Sequence, residues 1–227
     1  MTLPVYLLLS EKSWHDELFA NLQTRVPAQW HRIRQRDEFN ESKLQSINPE
    51  LIFIPHWSYI IPAEIYDHFT CVVFHMTDLP YGRGGSPLQN LIVRGHKETQ
   101  ISAIRVGKGI DTGPVYLKKP LSLHGTAEEI FIRSTKVIEE IIVEIVEQKP
   151  EPQEQKGEAV LFERRKPEDG NLNQCQSIEQ AYDYIRMLDA EGYPAAFIET
   201  ERFRFEFSRA SLKNGKKILA DVRIIEK

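Results

Sequence analysis

Two short segments of this chain place a proton-handling side chain where an apolar run gives way to glycine and proline. The first reads Phe74-His75-Met76-Thr77-Asp78-Leu79-Pro80-Tyr81-Gly82-Arg83-Gly84-Gly85-Ser86-Pro87, and the second Gly107-Lys108-Gly109-Ile110-Asp111-Thr112-Gly113. In open α/β sheets ligands gather at the carboxyl ends of strands, so His75 and Asp111 are placed to face one crevice. An imidazole beside a carboxylate is an acid/base pair. Each residue alone also has a plainer reading. A histidine after an apolar strand is commonly a core group bonded to backbone, and Asp-Thr-Gly is ordinary turn chemistry. The combination says more: a glycine-dense loop between Pro80 and Pro87 lets backbone approach a ligand closely, and Arg83 supplies a planar fork for carboxylate or phosphate. No His/Asp/Glu set shows ligand spacing, so no metal is implied.

The elements that hold these residues follow from the apolar pattern. Runs at 5–9, 49–55 and 70–75 are of the kind buried in a parallel sheet, with helical patterns between them at 13–24 and 62–69. This β-α-β-α-β alternation implies a doubly wound sheet. A short helix is expected over 88–93, and strands over 100–106 and 115–121 that pair as a hairpin around 107–113. Thr126-Ala127-Glu128-Glu129 opens the longest helix, reaching Gln148 with a wide apolar stripe. The polar, proline-punctuated stretch 149–158 reads as a linker. Beyond it a helix over 177–188 and alternating segments at 195–199, 202–208 and 218–225 suggest a small appendage. The expected domains are thus 1–150 and 159–227. Phe197, Phe203, Phe205 and Phe207 alternate poorly for one buried face; the plainer reading is a two-sided strand packed against the main domain, and the alternative is contact with a partner chain, such as a second copy in a homodimer.

Composition sets limits. With 227 residues, 41% hydrophobic and 27% charged, the chain reads as globular. A formal charge of −4 gives no global attraction to nucleic acid or an anionic membrane. The amino-terminal run from Met1 to Ser10 is too short for a bilayer and lacks a basic leader. Cys71 and Cys175 form no CxxC pair and suit a reducing cytoplasm as free thiols.

The segment from His75 to Pro87 resembles the His-x-Ser-Leu-Leu-Pro…Arg-Gly-x-x-Pro signature of the 10-formyltetrahydrofolate-dependent formyltransferases, whose type is the methionyl-tRNA formyltransferase-like catalytic domain. Gly109-Ile110-Asp111-Thr112-Gly113 resembles their Gly-x-Asp-Thr-Gly segment, and His56-Trp57-Ser58-Tyr59-Ile60-Ile61-Pro62 their pterin-side loop. The resemblance implies an α/β, Rossmann-like formyltransferase fold with a mostly parallel sheet and a small C-terminal α/β appendage. It further implies 10-formyltetrahydrofolate as formyl donor, His75 and Asp111 as catalytic residues, and Ser58, Tyr59, Ile60, Ile61, Leu79 and Asp111 around the cofactor. Arg83 is the expected acceptor-binding residue. One departure is specific: the family places an oxyanion-donating Asn two residues before the His, where this chain has Val73. Gln89, Asn90, a backbone N–H or protonated His75 are the candidate substitutes.

For the acceptor, the tRNA-acting branch appends a basic domain, and the only evident run of that kind here is 213–217. The purine-pathway branch uses a Gly-rich loop after the first strand, whereas this chain has Ser10-Glu11-Lys12-Ser13-Trp14. Glu163-Arg164-Arg165-Lys166-Pro167-Glu168-Asp169-Gly170 resembles a segment of the sugar-modifying branch. The expectation is therefore a cytoplasmic N-formyltransferase acting on a nucleotide-linked 4-amino-4,6-dideoxy sugar of the pseudaminic-acid type, with no nucleic-acid or membrane partner. The alternatives are a weakly catalytic folate- or nucleotide-binding module and formylation of an aminoacyl thioester.

Overall fold

The computed structural model describes residues 2–214 and 216–227; Met1 of the amino-terminal run and Gly215 within the 213–217 run lie outside the described residues. In chain order the elements are β1 (Val5–Leu9), α1 (Asp16–Arg25), β2 (Gln29–Ile33), α2 (Glu41–Ile47), β3 (Leu51–Pro55), α3 (Ala63–Tyr66) and β4 (Cys71–His75). There follow β5 (Tyr81–Gly84), α4 (Pro87–Val93), β6 (Glu98–Arg105), β7 (Val115–Ser122), α5 (Ala127–Gln148) and β8 (Val160–Phe162). The chain ends with α6 (Ile178–Arg186), β9 (Ala196–Glu199), β10 (Phe203–Lys213) and β11 (Lys217–Glu226). Two compact units are formed. One comprises the residues up to Gly84 with Thr99–Leu121 and Ile132–Leu161; the other comprises Gly85–Glu98, Ser122–Phe131 and Phe162–Lys227.

The first unit is built on a six-stranded sheet of order β2-β1-β3-β4-β6-β7. Strands β2, β1, β3 and β4 run parallel and β6 joins β4 antiparallel, so the sheet is mostly parallel. β6 and β7 are neighbours, as a hairpin around 107–113 requires. Parallel strands covered on both faces must be apolar throughout. Accordingly Leu7, Leu8 and Leu9 of β1 and Ile52, Phe53 and Ile54 of β3 are all buried. One face gathers Leu7, Leu9, Ile33, Ile52, Ile54 and Cys71 with Leu44 of α2 and Ile65 of α3; Val73 packs against this cluster while still partly exposed.

Two elements of this unit carry no strong sequence signal. Gln29-Trp30-His31-Arg32-Ile33 reads as polar because β2 is the sheet edge and only Ile33 is buried. The short α2 is defined by its ends: Asn40 Oδ1 accepts from Lys43 N at 3.0 Å, and Asn48 closes the helix in the left-handed region at φ 50°.

The end of β1 holds a buried polar pair in which Ser10 Oγ and His15 Nδ1 lie 2.5 Å apart. Burial, reinforced by His56, Arg32 and Lys12, pushes the His15 imidazole down to about 3. Burial and Lys12 push His56 down to about 4. Unfolded histidine titrates near 6.5, so between about pH 6.5 and pH 3–4 the unfolded chain holds more protons than the folded one. Stability from keeping these rings neutral is complete above pH 6.5 and drains as the pH falls through that window. The urea midpoint is expected to drop between pH 7 and pH 4, and His15→Gln to flatten that drop; an equally steep fall in the variant would exclude His15 as a source.

The second unit centres on the antiparallel sheet β11-β10-β9. Its register explains the irregular aromatic pattern. Phe205 pairs with Ile224 and Phe207 with Val222, which puts Phe203, Phe205 and Phe207 on one face. Phe197 pairs with Glu206 and so belongs to the opposite face, where the Arg204 guanidinium lies 3.6 Å over its ring. Helix α6 is capped by Ser177, whose Oγ accepts from Gln180 N. Its buried Arg186 donates to Leu123 O and Gly125 O and pairs with Asp183. Among the described residues no helix is long and apolar enough to cross a membrane.

Candidate active site

β4 ends on His75, and β7 follows β6 through the turn that carries Asp111; both belong to the first unit. The turn is tight. Asp111 sits in the left-handed region at φ 53°, and a Cβ on Gly113 would lie 1.7 Å from Arg105 O, so glycine is required at that close approach. This folding brings the two predicted catalytic side chains together, with His75 Nδ1 3.5 Å from Asp111 Oδ2.

The surroundings fix the ring. His75 Nε2 donates to Gly82 O at 2.7 Å. A neutral imidazole donates through one nitrogen only, so Nδ1 presents its lone pair on the carboxylate side. Asp111 Oδ2 also accepts from Gly84 N at 2.9 Å. Gly82 and Gly84 lie on β5, a strand formed inside what the sequence presents as a glycine loop, where it pairs with β8. Opposite His75 in the β4–β6 register, Ser102 Oγ donates to Thr77 O at 2.7 Å and accepts from Leu79 N at 3.3 Å. A proton arriving at Nδ1 would be held as an ion pair with Asp111, which is the chemistry expected of an acid/base pair.

The other expected site residues divide. Arg83 joins the pair indirectly: its Nε and Nη2 donate to Gln155 Oε1 at 3.0 and 2.7 Å, and Gln155 Nε2 donates to Asp111 O. Leu79 is buried and bound through its backbone to Ser102. Ser58, Tyr59 and Ile60 form the exposed loop after β3, with Ile60 83% exposed, and Ile61 is buried in the same cluster that Val73 packs against. The Tyr59 ring meets Trp57 and the Arg36 guanidinium. This loop makes no hydrogen bond or ion pair to His75, Asp111 or Arg83 among the described residues. Gln89 and Asn90, considered as oxyanion donors, spend their amide N–H groups on Met187 O and on Gly85 O and Glu163 O. Sequence reasoning missed Gln155, because a glutamine within Pro-Glu-Pro-Gln-Glu-Gln-Lys carries no local signal of a tertiary partner.

Comparison with known proteins adds to this geometry. A sequence model described as "Formyl transferase" matches residues 5–146, and one described as "Methionyl-tRNA formyltransferase, C-terminal domain" matches residues 167–225. A solved methionyl-tRNA formyltransferase from Clostridium thermocellum is 53% identical with a TM-score of 0.96, over 99% of this chain and 100% of that one. The methionyl-tRNA formyltransferase of Thermodesulfovibrio yellowstonii is 27% identical over 179 residues, 75% of this chain. The chain spans 58% of that relative's length. A sugar N-formyltransferase from a Shewanella species, 13% identical with a TM-score of 0.63 over 96% of each chain, shares the fold.

Two expectations are corrected by these findings. A nucleotide-linked amino-sugar acceptor, with its place in pseudaminic-acid or polysaccharide synthesis, is overturned, because the sugar-acting likeness is one of fold alone while the 53% likeness is to a methionyl-tRNA formyltransferase. The expected absence of a nucleic-acid partner is overturned by the same likeness and by the carboxyl-terminal match. The binding-module and aminoacyl-thioester alternatives gain no support either. The physical reason is that net charge averages over the whole chain, whereas a nucleic acid needs cations only where it touches.

Proposed function

Because the chain belongs to the formyl transferase family, we propose that it carries a formyl group from 10-formyltetrahydrofolate to the amino group of methionyl-tRNA, in the cytoplasm. The observation that carries this reading is the 53% identity, over essentially the full length of both chains, to a methionyl-tRNA formyltransferase. The amine nitrogen attacks the formyl carbon. The new C–N bond forms as the bond from that carbon to N10 of the donor breaks, the amine gives up a proton and N10 gains one. Asp111 is the more exposed partner of the pair, its side chain 18% accessible against 9% for His75. Oδ2 carries the contacts to Gly84 and His75, which leaves Oδ1 to take up the amine's proton, and that proton is held between carboxylate and Nδ1 before it passes to N10. Ser58, Tyr59, Ile60, Ile61 and Leu79 flank the donor, and Arg83 serves the acceptor side.

The test is direct: protein, 10-formyltetrahydrofolate and charged initiator methionyl-tRNA, with the esterified amino acid released and weighed. N-formylmethionine is the expected product. Retained donor binding with no formylmethionine would overturn the acceptor assignment.

A further inference from the structure

Gln155 lies in the proline-punctuated stretch between α5 and β8, yet all four of its amide contacts go to the turn and strand that build the site. Its Oε1 accepts both Nε and Nη2 of Arg83, at 3.0 and 2.7 Å. Its Nε2 donates to Asp111 O and Gly113 O, both at 2.8 Å. Only a carboxamide offers an acceptor to a guanidinium and two N–H groups to two carbonyls from one planar group. A carboxylate would repel the carbonyls, and a cation would repel Arg83. Gln153, two residues earlier, exchanges backbone hydrogen bonds with Val115 at 2.7 and 2.8 Å, which anchors the stretch beside β7.

The consequence concerns Asp111. Its left-handed backbone is unfavourable for a residue with a side chain and persists only where surrounding contacts impose it. Gln155 bonds the carbonyls of Asp111 and Gly113 on one side and, through Arg83, the strand whose Gly84 N–H holds Asp111 Oδ2. The same strand supplies the Gly82 carbonyl that orients His75. We propose that Gln155 is a positioning residue that clamps the Asp111 turn to β5 and thereby holds the carboxylate against His75; its effect on turnover rests on the formyl-transfer reading above. Arg83 accordingly serves the clamp with two of its nitrogens as well as any role toward the acceptor.

The experiment uses the full chain carrying Gln155→Met, which keeps length and removes every polar contact, and Gln155→Glu, which keeps the acceptor for Arg83 and sets a carboxylate against the two carbonyls. Backbone hydrogen exchange, which needs no turnover, is expected to speed up in 107–113 and in β5 in both variants and to stay unchanged in β1 and β3. In turnover, kcat is expected to fall about 10–100-fold, the scale of an ångström-level misplacement, with KM for methionyl-tRNA within about twofold. In an Asp111→Asn background Gln155→Met should then add almost nothing, since it acts through Asp111. Wild-type exchange at 107–113, or a loss that adds in full to Asp111→Asn, overturns the proposal. Failure of the wild-type protein to formylate methionyl-tRNA would instead overturn the function reading, and the exchange result would still decide the clamp.

Discussion

His75→Ala is expected to lower formyl transfer by about 10²–10⁴-fold, the usual contribution of a positioned acid/base group. The ring lies 3.5 Å from the Asp111 carboxylate, and its orientation is imposed by Gly82 O at 2.7 Å. Asp111→Asn should cost a comparable factor for a different reason. The amide nitrogen can occupy the Oδ2 position only by facing the Gly84 N–H, so the variant turns its oxygen there and loses the negative charge that stabilises a protonated ring. Because the two residues act as one unit, the double variant should be scarcely slower than the worse single one. His75→Ala leaves the Gly82 carbonyl with only the longer bond from Thr77 Oγ1 at 3.4 Å, so His75→Gln, which can still donate, and an unchanged urea midpoint separate chemistry from unfolding. A His75→Ala protein with wild-type kcat would remove His75 from the reaction altogether.

How much of this was legible in the sequence depends on where the information resides. The covered strands β1, β3 and β4 announce themselves because burial on both faces demands continuous apolar runs, and α5 because a Thr126–Glu129 capping box precedes its stripe. The edge strand β2 has one side open to water and no such demand, so it reads as polar chain. β5 is hidden more deeply: Tyr81-Gly82-Arg83-Gly84 has the composition of a loop and is a strand only because Val160–Phe162 arrives to pair with it. His75 and Asp111 could be named because strand ends followed by glycine are a local signal. Gln155 could not, because its role is set by partners 42 to 72 positions away.

The acceptor was the least legible part, and for a related reason. Acceptor choice depends on local surface charge and shape, which composition averages away, whereas the reaction itself needs only a few side chains on a defined scaffold. The absence of a glycine loop after β1 and a short likeness at 163–170 were negative or generic indications. They pointed toward a sugar only by elimination.

Val73→Asn is expected to raise kcat by about 10–100-fold, part of the 10²–10³ that one oxyanion donor is worth. Residues 73 and 75 share a face by strand alternation, and Val73 remains partly exposed although it lies between Ile54 of β3 and Ile104 of β6. Nearby donors are already committed: His75 Nε2 to Gly82 O, and Gly84 N to Asp111. An amide at position 73 would therefore add a donor where the developing negative oxygen has none from β4. The same change puts a carboxamide into a site packed against the apolar cluster that contains Ile54 and Ile61, at a cost of about 1–3 kcal/mol wherever it finds no partner in the free protein. Rate and stability should consequently move in opposite directions, which a kcat measurement paired with a urea midpoint will read. A less stable protein with unchanged kcat would mean that the oxyanion is already held by a donor outside β4, and valine at this position would then be a packing choice with no catalytic cost.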